Sequence, residues 1–459
     1  MQDILKPLSG HLPSGMQAEL RAQRNTNRRV MLLSGNLVGN VRTESSGVCA
    51  RLCKGGVYGF ASEAEFSSEA AKRVLKTAEH NALFMDEHAG KGKPARPAIA
   101  HRVIDNRIDW KDAEQKLFIE YLRELDDYVA KKEKLIGRRI VCFTESMEKS
   151  LLCADGADAF STMPRAYIYV VLNAESKDGG PVEVFKALGG FGGFDEQFSD
   201  PALLYPAVDR IYDNLMKKTE AVYAEAGLRT VIIGGGLGGM LAHEAVGHTV
   251  EADLVIGGSV AGKCRGKQVA SEIVNLTDFA SSAFGKPCPL PIFADDEGVP
   301  AVDAPIIKDG ILVGYMHNRE SAERFGDRPC GNARAYAYSD EPLIRMRNTA
   351  IHPGKDKLED MIASVDDGYY LTDTSNGQAD NTGEFMFGVT MGYEIKNGKL
   401  GKAIFDTTIS GVAFEMLKTV DMLSSEMTWE SSGYCGKKQM IPVGLGGPDM
   451  RCKITMGGR

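Results

Sequence analysis

Two dipeptides constrain the second half of this chain more than any other feature. In APIIKDGILVGYM the turn is Asp309-Gly310, and in MGYEIKNGKLGKAIF it is Asn397-Gly398. A two-residue hairpin turn needs positive φ at both central positions. Asn, Asp and Gly tolerate that best, so each dipeptide joins two neighbouring antiparallel strands. The second half is therefore expected to be largely antiparallel β.

The first half reads differently. Ser45 to Ser62 forms two short strands around Gly55 and Gly56. Ala71, Val74, Leu75 and Ala78 then follow the spacing of one buried helix face. Residues 89–97, AGKGKPARP, are a loop by composition. Phe118, Tyr121, Leu122, Leu125, Tyr128 and Val129 make an apolar stripe on a helix expected over 111–133. Strands are expected over 139–146 and 166–174, followed by a loop holding Gly189, Gly190, Gly192 and Gly193. A third helix is expected over 201–226, with Val208, Ile211, Tyr212 and Leu215 inward and Gly227 as its stop.

The fold class implied is α+β. An N-terminal mixed α/β domain would span 1–226, with a further division near 90–110 as an option. A β-rich domain would span 227–459. A chain of 459 residues exceeds what one ordinary core accommodates, which also favours two domains.

Composition excludes some functions. With 43% hydrophobic and 25% charged residues the chain is an ordinary folded protein rather than a disordered one. A net charge of -8 offers no broad basic face for nucleic acid or an anionic membrane. The start, MQDILKPLSGHLPSG, lacks the basic and apolar regions of a signal peptide, and no apolar run is long enough to span a bilayer. Nine scattered cysteines make a poor disulfide framework and fit a reducing cytoplasm. Cys49 and Cys53 are not spaced like a zinc ribbon and read as structural.

The chemistry concentrates in VIIGGGLGGMLAHEAVGHTVEAD, residues 231–253. Gly234, Gly236 and Gly239 match the dinucleotide fingerprint G-x-G-x-x-G. That motif needs a second strand ending in an acidic residue, and HTVEAD follows the helix directly with no strand before Glu251 or Asp253. The alternative is a metal site. His243, Glu244 and His248 form H-E-x-x-x-H, in which imidazoles bind zinc and the adjacent carboxylate can serve as a base. The familiar H-E-x-x-H spacing puts two histidines about 40° apart around a helix, whereas five residues put them about 140° apart. Both rings meet one ion only if the helix widens, as in a π-bulge, or ends before His248. Gly247 sits where such a break costs least. A third ligand is required. Glu251 and Asp253 are the local candidates and Cys435, in SSGYCGKKQMIPVGLGG, is a distant one. Read from its residues alone, Cys435 is a buried free thiol before it is a ligand.

Several segments together resemble one family. SSGVCARLCKGGVYGFAS, HEAVGH, FADDEGVP, IIKDGILVGYMHNRESA, GNARAYAYSDEPLIRMRNT, NTGEFMFGV and YCGKKQMIPVGLGGP are similar to the signatures of the TldD/PmbA peptidases, almost end to end. The resemblance is to the metal-binding, TldD-type branch. It implies zinc held by His243, His248 and Cys435, with Glu244 catalytic. It also implies extended or unfolded peptides as substrates, cleaved in an enclosed cleft formed with a second subunit, either another copy or a metal-free PmbA-like chain. VGLGGP departs from the family, which often has a Gln before the Pro. The non-enzymatic alternative is a peptide-binding module with a non-catalytic zinc.

Asp295, Asp296 and Glu297 form an acidic run that could hold a cation, but the following Gly298 favours a solvated turn. Arg345 and Arg347 could hold a substrate backbone or belong to a salt-bridged strand. His317 and His352 have no partner in sequence and read as structural.

Overall fold

Strand β1 (Gln17–Leu33) sorts its residues by parity. Ala18, Leu20, Ala22, Val30 and Leu32 point to one face, and all are buried under helices. Glu19, Arg21, Gln23 and Asn25 point to the other face, and they are buried too. The computed structural model describes residues 1–92, 99, 102–108, 110 and 112–458. The sequence reading places no element over β1, because polar residues at 24, 26 and 28 interrupt its alternation.

β1 is central in a seven-stranded sheet. Its other members are β2 (Asn36–Lys54), β3 (Val57–Glu63), β4 (Arg102–Asn106), β5 (Leu135–Cys153), β6 (Ala157–Glu175) and β7 (Pro181–Phe191), in the order β3-β2-β1-β5-β6-β4 with β7 also on β6. These strands are far longer than the patterning suggests: β5 and β6 pair over almost their whole length. Gly189 and Gly190 belong to β7 rather than to a loop. A Cβ on Gly189 would meet the Ala166 carbonyl at 2.2 Å.

Helix Ser68–Ala89 covers one end of the sheet, and helices Gln115–Val129 and Tyr205–Thr219 cover the other. The stripes expected on all three are the buried faces. The last helix stops at Thr219, short of the expected 226, because Val222 bridges to Ile404 and ties the chain to the second half. Of the 89–97 loop, residues 93–97 lie outside the described residues, as does Lys111 at the expected start of its helix.

Both hairpins of the second half form as the turn residues require. Asp309 and Gly310 have φ of 50° and 76°, and Asn397 and Gly398 have 51° and 72°. β8 (Gly227–Ile233) lies between strands Asp367–Ala379 and Met450–Met456. Strand Met450–Met456 pairs with Thr407–Val412, which pairs with Glu384–Lys396. That last strand pairs back with Asp367–Ala379, closing a ring of five strands. A second, six-stranded sheet includes Asn348–Ile351 and Gly444–Gly447. The fold class is α+β.

The acidic run is not a solvated turn. Asp295, Asp296 and Glu297 are all buried where the second half meets the polar face of β1. Arg51 bonds Glu19 at 2.7 Å and Glu297 at 2.5 Å, and Lys149 bonds Asp296 at 2.7 Å. Asp295 instead accepts the backbone N–H groups of Glu297, Val299 and Ala333. Burial, with Glu297 adding to it, raises the Asp295 carboxyl to about 8. Among the described residues no helix is long and apolar enough to cross a membrane.

Candidate metal centre

The glycines ahead of His243 serve packing. A Cβ on Gly239 would meet the Gly446 nitrogen at 2.7 Å, and one on Gly235 would meet the Gly447 carbonyl at 2.3 Å. Helix Gly235–Leu241 thus lies directly on strand Gly444–Gly447. β8 runs into this helix, but its parallel neighbour is Asp367–Ala379, more than a hundred residues later, so there is no dinucleotide-type βαβ unit around Gly234, Gly236 and Gly239.

The helix then changes pitch. Residues Ala242–Gly247 form a π-turn, followed by a 3₁₀ turn over His248–Val250. An i→i+5 turn is wider than an α-turn and carries residues five apart toward the same side. The ring centroids of His243 and His248 are accordingly 5.2 Å apart. Gly247 keeps helical φ. Its lack of a side chain is needed because a Cβ there would sit 2.1 Å from Met346 Sδ.

Cys435 arrives from the far end of the chain, on a two-residue strand (Tyr434–Cys435) paired with Ile441–Pro442. Its Sγ is 3.3 Å from His248 Nε2. One donor atom from each of His243, His248 and Cys435 lies within 4.8 Å of the others. Glu244 faces the same space, with Oε2 3.6 Å from His248 Nε2 and Oε1 3.9 Å from His243 Nε2.

His243 is 1% exposed, and neither of its ring nitrogens has a hydrogen-bond partner. Buried polar atoms are nearly always paired, so an orphaned imidazole facing a thiol asks for a missing ligand. Burial alone would raise the Cys435 thiol, but the two neighbouring imidazoles outweigh it and hold it at about 3. Burial likewise opposes charge on His248, yet Cys435 and Glu251 bring it to about 10. Two imidazoles and a thiolate, with one side left to a carboxylate, are a donor set that suits zinc with an open position.

The local alternatives to Cys435 point elsewhere. Glu251 is fully buried and its Oε2 lies 2.7 Å from His248 Nδ1, the other side of the ring. Asp253 accepts from Lys437 Nζ at 2.8 Å, and Lys437 also lies 3.3 Å from Glu251. A carboxylate on the far nitrogen fixes a ligand imidazole's orientation.

Arg345 is the residue whose place sequence could not give. Its guanidinium is fully buried and donates to the carbonyls of Cys435 at 2.7 Å, Gln439 at 2.8 Å and Lys437 at 3.2 Å. It therefore fixes the Cys435 turn and is not free to hold a substrate. Arg347 is equally buried, on Asp278. His317 is bonded to Ser321 and Asp327, and His352 to Thr277.

Comparison with known proteins agrees with this architecture. Residues 226–458 match the PmbA/TldA metallopeptidase C-terminal domain, and residues 18–82 match PmbA/TldA metallopeptidase domain 1. The chain belongs to the TldD/PmbA family. A metalloprotease TldD homolog of Buchnera aphidicola is 30% identical over 92% of this chain and 88% of its own length. A zinc metalloprotease TldD homolog of Saccharolobus solfataricus is 34% identical over 55% of this chain and 57% of its own. TldE from Thermococcus kodakarensis shares the fold, with a TM-score of 0.74 over 98% of this chain and 99% of that one, at 18% identity. Relatives of this TldD/PmbA chain are thus named as metalloproteases, which supports a function of the peptidase type.

Proposed function

We propose that this TldD/PmbA chain is a cytoplasmic zinc peptidase that hydrolyses extended or unfolded peptides in a cleft enclosed with a second family subunit. That subunit is either another copy or a metal-free PmbA-like chain. His243, His248 and Cys435 would hold the zinc, and Glu244 would be the general base. One observation carries the reading: a buried imidazole without any partner converges on a second imidazole and on a thiol 187 positions further along the chain.

Zinc bound there would polarise the scissile carbonyl and acidify water. The chain's own residues do the rest. Glu244 is partly exposed and faces the donor atoms, so its Oε2 can accept a proton from the attacking water and return it to the leaving nitrogen. Glu251 holds the His248 ring by Nδ1, and Arg345 holds the Cys435 turn by its carbonyl. Strand edges near the site suit an extended peptide, which adds to a sheet by main-chain hydrogen bonds.

The test is a digestion of unfolded protein together with elemental analysis. Glu244→Gln should keep zinc at the wild-type ratio and lower cleavage by about 100- to 10,000-fold, the usual contribution of a general base. Cleavage at the wild-type rate would remove Glu244 from that role. Zinc without any cleavage in the wild-type chain, with or without a partner subunit, would leave a peptide-binding module.

A further inference from the structure

The helices cover one face of the N-terminal sheet, and the second half covers only part of the other. Beyond Asn27 the uncovered face turns apolar, because cross-strand rows place Arg29 beside Phe143, Val141 beside Tyr169, and Arg139 beside Val171 and Phe185. These rows line a groove of about 500 Å³. One end of it is closed by Tyr434, the residue before Cys435. The same edge is anchored by Tyr169, whose hydroxyl donates to the Ser432 carbonyl at 3.1 Å. The groove thus reaches the strand that carries Cys435.

Its charges are arranged with a period. Arg29 and Arg139 are exposed, and neither has an ion-pair partner among the described residues. Arg29 stands in the Phe143 row, and Arg139 is four residues from Phe143 along β5, roughly 13 Å at strand rise. Between them lies the apolar floor of Val141 and Tyr169. An extended peptide shows residues i, i+2 and i+4 to one face over that same length. Glu183, on the β7 rim, also lines the groove and its carboxylate is bonded only to the neutral amide of Asn173, so the two guanidiniums outnumber a single carboxylate and the groove is net positive.

We propose that this groove selects peptide substrates bearing an acidic residue at i and i+4 around an aromatic or aliphatic residue at i+2. The inference rests on the peptidase reading, since it makes the sheet face one wall of the substrate path. Two exposed charge pairs together give a preference of roughly tenfold.

The experiment uses the full chain carrying Glu244→Gln, so that binding is read without cleavage. Fluorescent peptides, amidated at the C-terminus, carry Glu-Ala-Phe-Ala-Glu or Gln-Ala-Phe-Ala-Gln. Anisotropy should give the acidic peptide about tenfold tighter binding at low salt, with the gap closing in 0.5 M NaCl. Arg29→Ser and Arg139→Ser should each remove part of the gap, and the double variant all of it. Equal affinity for the two peptides, or a gap that survives the double variant, overturns the proposal. So does conversion of a dimer to a monomer by Arg29→Glu in light scattering, because the face would then be a subunit contact. A wild-type chain that binds with this preference but never cleaves would sink the peptidase reading alone. One that cleaves both peptides equally, unchanged by the serine variants, would sink the groove alone.

Discussion

Two of the buried polar clusters among the described residues differ in one respect. Around Asp295–Glu297 the acids face cations or backbone donors: Arg51 on Glu297, Lys149 on Asp296, three N–H groups on Asp295. Around His243 the ring nitrogens face a thiol, an imidazole and a carboxylate, yet hydrogen-bond to none. A satisfied cluster fastens two parts of a fold together. On the proposed reading, the unbonded His243 ring is kept for a metal ion. Burial alone therefore does not separate the two: neither nitrogen of the His243 ring is bonded, whereas the unbonded Nε of Arg21 and of Arg345 belongs to a guanidinium that bonds through its other nitrogens.

That contrast can be broken experimentally. His243→Leu should have the largest effect on the site, cutting zinc affinity by more than about 100-fold, since loss of a ligand exceeds the 10–100-fold cost of losing a group behind one. The same variant should leave the thermal stability of zinc-free protein unchanged or higher, because it removes a buried polar ring that had no partner. A marked fall in the zinc-free melting temperature would mean the ring is scaffold after all.

Arg51→Met should behave in the opposite way. It removes the guanidinium bonded to the buried carboxylates of Glu19 and Glu297, at a cost of about 3–5 kcal/mol in denaturant unfolding, while zinc content per folded chain stays at the wild-type ratio. Zinc loss without destabilisation would erase the distinction between the clusters.

Glu251→Gln sharpens the comparison at its boundary, because Glu251 is a fully buried acid that serves the site. Zinc affinity should fall by about 10- to 100-fold in a competition titration with a chelator. An unchanged affinity would place Glu251 with the scaffold, bonded to Lys437 for packing. The smallest effect is expected from Asp367→Asn, which breaks an exposed pair with Lys396. It should shift stability by less than about 1 kcal/mol and leave zinc untouched.

Much of the fold was legible where local rules act alone. The two hairpin turns follow from Asn, Asp and Gly at positive φ, and the three helix stripes from their spacing. β1 was not legible, because its two faces answer to different partners: helices on one side, the second half of the chain on the other. A strand buried on both faces by unlike surfaces loses the simple alternation that marks strands. The acidic run misled for the same reason. Asp-Asp-Glu-Gly has the composition of a solvated turn, and only the arginines and lysine of a distant sheet make it interior.

The sequence by itself determined that two imidazoles five apart need a helix that widens or ends before His248, and the π-turn over Ala242–Gly247 is the form the structure takes. It also supplied the turn chemistry and the resemblance of its motifs to one family. The tertiary structure alone decided which distant side chain meets those imidazoles, why Glu251 and Asp253 do not, and that Arg345 holds the Cys435 turn. The physical reason is range. Backbone dihedrals and side-chain periodicity act over a few residues, whereas donors that converge on one point are brought there by packing across the whole chain.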